Sequence, residues 1–131
     1  MTHSSISVAT SPTTVSVLES TGDVLGFLTL AADSILHDGE ASDEPIKTVP
    51  AIKLCRIGVA TSYQNLGFGK SLVDYAIGAV RSLQDEGIIA ARFLTLDAYP
   101  NRVKWYERLG FVCNEHRIYA RRQHPSMRFL V

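Results

Sequence analysis

Val59-Ala60-Thr61-Ser62-Tyr63-Gln64-Asn65-Leu66-Gly67-Phe68-Gly69-Lys70 joins an apolar, strand-like run to an amphipathic, helix-like one. Glycines at 67 and 69 leave the backbone uncovered where the helix starts, and the first turn of a helix carries N–H groups without intrahelical partners. Those groups and the positive end of the helix dipole make a ready site for phosphate. Lys70 adds a cation. Taken alone, Gln-x-x-Gly-x-Gly is also the composition of a plain turn, so both readings stand on these residues. The stretch lacks the extra glycine of a dinucleotide fingerprint and the spacing of a nucleotide-triphosphate loop.

Working outward, Leu72, Val73, Ala76, Ile77, Val80 and Leu83 fall at helical spacing after the glycines, with Gly87 where a C-terminal cap belongs. Before them, Ala51 to Ala60 reads as a strand. Ile52 and Leu54 share one parity and Ile57 and Val59 the other, which fits a β-bulge or a strand with two apolar faces. Arg92 to Ala98 is a second strand, so strand, helix and strand imply a parallel crossover. Thr14 to Glu19 and Val24 to Ala31 read as a hairpin around Ser20-Thr21-Gly22-Asp23. His37 to Pro50 is acidic and proline-punctuated, hence a surface loop that either stays solvated or meets a basic substrate. A short helix is expected from Asn101 to Leu109, stopped by Gly110, with strands near Phe111 to Cys113, Arg117 to Ala120 and Met127 to Val131.

The 131 residues suit a single domain, 1–131, with residues 1–13 flexible. Thirteen Lys and Arg balance thirteen Asp and Glu, so no global field favours DNA or an anionic membrane. Cys55 and Cys113, in apolar runs without nearby ligand-spaced His or Cys, read as buried thiols, and no metal is expected. The Ser/Thr-rich start has neither a basic n-region nor an apolar h-region, and the expected location is cytoplasmic.

The block from Tyr63 to Lys70 after a strand resembles the acetyl-coenzyme A signature of the GNAT acetyltransferase superfamily, Gln/Arg-x-x-Gly-x-Gly/Ala. A second block, Asn101-Arg102-Val103-Lys104-Trp105-Tyr106-Glu107-Arg108-Leu109-Gly110-Phe111, resembles that superfamily's helix ending Tyr-Glu-Lys/Arg-x-Gly-Phe, and begins 37 positions after Gln64. The resemblance covers Val24 to Phe111 well and the tail through Met127 more loosely. It implies an α/β fold (α+β mixed sheet), splayed and flanked by helices, with acetyl-coenzyme A as cofactor. It also implies that Ile57, Gly58 and Val59 pair with the pantetheine arm. The pyrophosphate would lie on Gln64, Asn65, Leu66, Gly67, Phe68, Gly69, Lys70 and Ser71.

The reaction so implied is direct transfer of acetyl from the thioester to a primary amine in a ternary complex. Val59 N–H would stabilise the carbonyl oxygen and Tyr106 would protonate the departing thiolate. Tyr106 is also what the core side of a short amphipathic helix needs. Asn101 matches a position that hydrogen-bonds the pantetheine arm, and is equally a plain N-cap residue. Asp97, at its strand's C-terminal end, is the best carboxylate for deprotonating the amine, ahead of Glu44; a turn cap or a water chain are the alternatives. Lys104 and Arg108 read as solvated, or as partners of the cofactor's 3'-phosphate.

Relatives in this superfamily usually carry a strand and two helices before the hairpin, so the chain reads as N-terminally shortened. The acceptor face is then open, or covered by a homodimer partner, or the chain binds the cofactor without turnover. The acceptor itself is unidentified. The alternatives to acetylation of an amine are a non-catalytic acetyl-coenzyme A-binding or toxin–antitoxin-like partner protein, and acetylation of aminoacyl-tRNA. Arg117, Arg121, Arg122 and Arg128 make the C-terminal stretch basic enough to keep the last in view.

Overall fold

The computed structural model describes residues 2–7, 12–17, 24–37 and 47–131. Strands β1 (Thr2–Ser7), β2 (Pro12–Val17), β3 (Val24–His37), β4 (Lys47–Val59), β5 (Phe93–Asp97), β6 (Val112–Cys113) and β7 (Ser126–Leu130) follow the sheet order β1-β2-β3-β4-β5-β7-β6. Helices α1 (Phe68–Asp85) and α2 (Val103–Arg108) complete a mixed α/β fold. The chain divides into two compact units, Met1–Ala31 with Leu54–Ala79, and Ala32–Lys53 with Val80–Val131.

In the first unit, β2 pairs antiparallel with β3 from Thr13↔Thr29 to Val17↔Val24, with a register shift between Ser16 and Val17. This is the expected hairpin; its turn, Ser20 to Asp23, lies outside the described residues. Thr2–Ser7, expected to be flexible, forms β1 and pairs with β2 from Thr2↔Val17 to Ser7↔Pro12. A Ser/Thr-rich stretch takes extended backbone readily when a neighbouring strand offers its hydrogen bonds. The acidic stretch 38–46 also lies outside the described residues.

Helix α1 buries most of the face read from its spacing: Leu72, Val73, Ala76, Ile77 and Val80 are buried, and Leu83 in the last turn is half-buried. Removing each large aliphatic side chain from water is worth about 1.5–3 kcal/mol. The helix ends as expected, with Gly87 N–H donating to Gln84 O at 3.0 Å and Ile88 N–H to Leu83 O at 2.9 Å. That pair of bonds satisfies carbonyls the helix would otherwise leave open.

Along β4, Ala51, Ile52 and Leu54 are buried, Cys55 and Arg56 are both exposed, and Ile57 to Val59 are half-buried. Strict alternation therefore fails at Cys55 and Arg56, where the change of parity was read. Cys55 is exposed and Cys113 half-buried, which corrects the expectation of two buried thiols. The apolar neighbours of Cys55 drew it inward on paper, but the broken alternation turns its side chain out.

In the second unit, β4 pairs parallel with β5 at Ala51↔Phe93, Ile52↔Leu94 and Lys53↔Thr95. Strand β7 lies antiparallel to β5 and to β6. Ile35, Ala51 and Phe93 form a buried cluster, with Val49 and Tyr119 packed on it. The strand expected at Arg117 to Ala120 is instead a 3-10 turn, Arg117–Tyr119. His116 Nδ1 accepts from Ile118 N–H at 3.2 Å, and Arg121 has φ 65°, a left-handed conformation that no strand accommodates.

Among the described glycines, those with the least room lie between β3 and β4 in the first unit. A Cβ on Gly26 would sit 2.5 Å from Gly58 O and 2.9 Å from Leu72 Cδ1, and one on Gly58 would sit 2.6 Å from Phe27 Cε1. Gly26→Ala should therefore cost about 1–3 kcal/mol, as overpacking does, and lower Tm by several degrees in a calorimetric melt. An unchanged Tm would show that the strands separate freely here.

Candidate functional site

The first unit carries the turn between β4 and α1. Ala60 N–H donates to Leu25 O at 2.7 Å, fastening the end of β4 to β3, and a 3-10 turn follows at Thr61–Tyr63. Gln64 Nε2 donates to Val59 O at 3.1 Å and closes the loop on the strand it left. Asn65 (φ 65°) and Gly67 (φ 85°) are both left-handed. Left-handed residues alternating with ordinary ones turn successive N–H groups toward one concavity, which is how backbone nests bind anions.

Ser71 is the first residue of α1 with an N–H bonded back into the turn, to Gly67 O at 3.2 Å, and its hydroxyl donates to the same oxygen at 3.3 Å. The amides of Gly69 and Lys70 precede that bond and belong to the helix's unpaired first turn. Residues Gln64 to Gly67 are exposed, and no atom lies within 4 Å of a Cβ built on Gly67. Lys70 sits beside this opening, with Asp74 Oδ2 3.3 Å from its Nζ in an exposed pair, a contact weak enough in water to yield to a phosphate. The turn thus fits a diphosphate: open backbone donors, a helix N-terminus and one displaceable cation.

The second unit holds Asp97, Asn101 and Tyr106. Tyr106 lies on α2, which closes as the sequence implied: Gly110 N–H donates to Glu107 O at 3.0 Å and Phe111 N–H to Tyr106 O at 3.1 Å. The Phe111 ring meets the Tyr106 ring edge-on at 5.6 Å, and Trp105 meets it at 4.9 Å. Tyr106 is 8% exposed. Burial pushes its phenol above the ordinary value of 10.0, against a smaller downward pull from Arg102. The hydroxyl is protonated at neutral pH, as a phenol at its ordinary value also is, and the upward shift makes it a weaker proton donor than a solvated tyrosine.

Asn101 is exposed within the 3-10 turn Pro100–Arg102, and the residue capping α2 is Arg102, with no side-chain cap bond. The capping role for Asn101 is thereby removed. Lys104 and Arg108 are exposed, in line with the solvated reading.

Asp97 ends β5 and accepts from Lys53 Nζ at 2.7 Å, with Arg122 Nη1 at 3.9 Å. These groups line a cavity of about 320 Å³, together with Asp33, Thr95, Tyr119 and Ser126. Sequence reading missed Asp33 because it ended the strand at Ala31. The available signal was a carboxylate inside Leu30-Ala31-Ala32-Asp33-Ser34-Ile35, an otherwise strand-compatible run. Tyr119, which accepts from Leu36 N–H at 2.9 Å, was hidden by the wrong assignment of its segment.

The predicted cofactor residues Ile57 to Val59 and Gln64 to Ser71 are thus gathered in the first unit, whereas Asp97, Asn101 and Tyr106 belong to the second. Among the described residues no helix is long and apolar enough to cross a membrane, and no group of His, Cys, Asp or Glu is placed to hold a metal ion.

A family profile described as an acetyltransferase (GNAT) domain matches residues 11–113. No curated protein matches the chain. Among solved structures, one described as a bacterial toxin is 23% identical, with 92% of this chain and 67% of that one covered and a TM-score of 0.75. AtaT complexed with acetyl-methionyl-tRNAfMet is 20% identical, over 92% of this chain and 71% of that one, with a TM-score of 0.74. AtaTR bound with acetyl-coenzyme A is 21% identical, over 92% and 70%, with a TM-score of 0.71. The chain belongs to the GNAT acetyltransferase family, whose cofactor is acetyl-coenzyme A.

Proposed function

We propose that the chain transfers acetyl from acetyl-coenzyme A directly to a primary amine, with cofactor and acceptor bound together. The observation that carries this reading is the open turn from Gln64 to Lys70, with its two left-handed residues at the start of α1. Acetyl-coenzyme A supplies the acyl group as a thioester. The turn from Gln64 to Lys70 binds the pyrophosphate on its backbone amides, and Ser71, whose N–H and hydroxyl both donate to Gly67 O, braces that turn. Ile57 to Val59 hydrogen-bond the pantetheine arm along the strand, and Asn101 adds a side-chain amide to it. Val59 N–H stabilises negative charge on the carbonyl oxygen. Tyr106 donates its proton to sulfur as the N–C bond forms and the C–S bond breaks. Asp97 is engaged by Lys53 and Arg122, so in this proposal water takes the proton that the amine loses.

A second acceptor, the α-amino group of an aminoacyl-tRNA, is favoured by the similarity to AtaT, whose structure holds acetyl-methionyl-tRNAfMet. Two of the four C-terminal arginines are engaged by contacts within the chain. Arg128 donates to Cys113 O at 3.1 Å and Asn114 Oδ1 at 2.9 Å, and Arg122 lies over the Tyr119 ring. Arg117 and Arg121 are exposed, and so is Arg122. Acetyl transfer to charged tRNA but to no free amine would decide for this acceptor, as the reverse would against it. A non-catalytic role gains if cofactor binds and neither acceptor turns over.

Tyr106→Phe should lower kcat by roughly 100-fold or more in an assay of coenzyme A release, while the Kd for acetyl-coenzyme A holds; an unchanged kcat removes Tyr106 as the acid. Replacing Gly67 by Val puts a β-branched residue at φ 85° and should weaken acetyl-coenzyme A binding, read as a smaller ligand-induced rise in Tm. If the rise is undiminished, the cradle lies elsewhere.

The raised phenol also gives a pH signature. The unfolded tyrosine ionises near pH 10, so the stability linked to Tyr106 is complete below that and is lost as pH climbs toward the higher folded value. Urea melts should show the wild-type chain losing stability relative to Tyr106→Phe above about pH 10, with parallel curves below it. Parallel curves throughout would mean the phenol is not desolvated.

A further inference from the structure

The cavity in the second unit has a charge arrangement that the proposed chemistry does not use. Asp97 is met by Lys53 at 2.7 Å and by Arg122 at 3.9 Å. Asp33 is half-buried, and its Oδ2 accepts from the hydroxyl of Thr95, itself 2% exposed, at 2.7 Å. Among the described residues no Lys or Arg forms an ion pair with Asp33. One carboxylate in this hollow is thus oriented by a buried hydroxyl rather than by an ion pair among the described residues, while the hollow's Lys53 and Arg122 lie against Asp97. The Thr95 bond holds that carboxylate in a fixed position to receive a cation.

We infer that this cavity binds the primary ammonium group of the acceptor through Asp33. The inference rests on the amine-acetyltransferase reading and names the residue that recognises the amine. A volume of about 320 Å³ lies near the lower end of small-molecule sites, so the occupant is about the size of one amino-acid residue. Ile35, Leu36 and Ile118 give apolar wall for a side chain, and Tyr119 supplies a rim tied to β3 by its bond from Leu36 N–H. Asp33 binds and positions; it is assigned no proton transfer. A guanidinium would also answer the charge but carries no amine of the reactivity the transfer needs, and it serves as a competitor in the test.

The probe is leucinamide, set against 4-methylpentanamide, which has the same shape without the amino group. Calorimetry on the full chain at neutral pH with coenzyme A present should show leucinamide bound and the neutral amide not. Asp33→Asn should raise KM for leucinamide about tenfold or more, the size expected for one hydrogen bond to a charge, with the Kd for acetyl-coenzyme A unchanged. Asp33→Glu should recover part of the loss. Equal binding of the two amides, or an unaltered KM in a folded Asp33→Asn chain, overturns the inference. If that variant fails to fold, the two amides on the wild-type chain decide alone, through shifts in the Thr95 and Leu36 amide resonances. Failure of acetyl-coenzyme A to bind would sink the acetyltransferase reading. Cofactor binding without any preference for the ammonium would sink only the role of Asp33.

Discussion

The carbonyl of Gly58 occupies space that any side chain on residue 26 would need, and the rest of the first unit follows from that close approach. Because β3 offers only a hydrogen at Gly26, β4 can run past it to Val59 and be fastened by the Ala60 to Leu25 bond. Leu72 packs against the same glycine, which sets where α1 begins relative to the two strands. The residues of the turn between β4 and α1 reach from a fixed strand end to a fixed helix start, and left-handed backbone at Asn65 and Gly67 is how that distance is crossed. The donors exposed by the crossing are a consequence of packing before they are a feature of binding.

The second unit solves a different problem, which is to keep a phenol dry and fixed on a helix of six residues. So short a helix has little stability of its own. The cap bonds at Gly110 and Phe111 and the aromatic contacts on either side of Tyr106 supply what the helix lacks. The packing that holds the ring also desolvates it, and that desolvation raises its pKa.

What could be read in advance divides along physical lines. The spacing of Leu72, Val73, Ala76, Ile77 and Val80 specified α1 because helical periodicity is local, and the glycine caps were legible for the same reason. The parity change in β4 was visible as a pattern, though which side chains it turned outward was not, and Cys55 was placed wrongly on that account. The 3-10 turn at Arg117–Tyr119 depends on the His116 ring and on a left-handed Arg121, neither of which leaves a mark in hydrophobicity. The cavity around Asp33 and Thr95 was illegible because its walls come from segments 62 positions apart, joined by one side-chain hydrogen bond. Asn101 looked like a cap from its position, and the helix took Arg102 instead.

Trp105 is the chain's single tryptophan, and its ring centroid stands 4.9 Å from that of Tyr106. Its position gives the protein a built-in optical reporter. Light absorbed by that one indole is emitted from beside the residue assigned the proton, so events at the phenol register in the fluorescence of the unlabelled chain without interference from a second indole elsewhere.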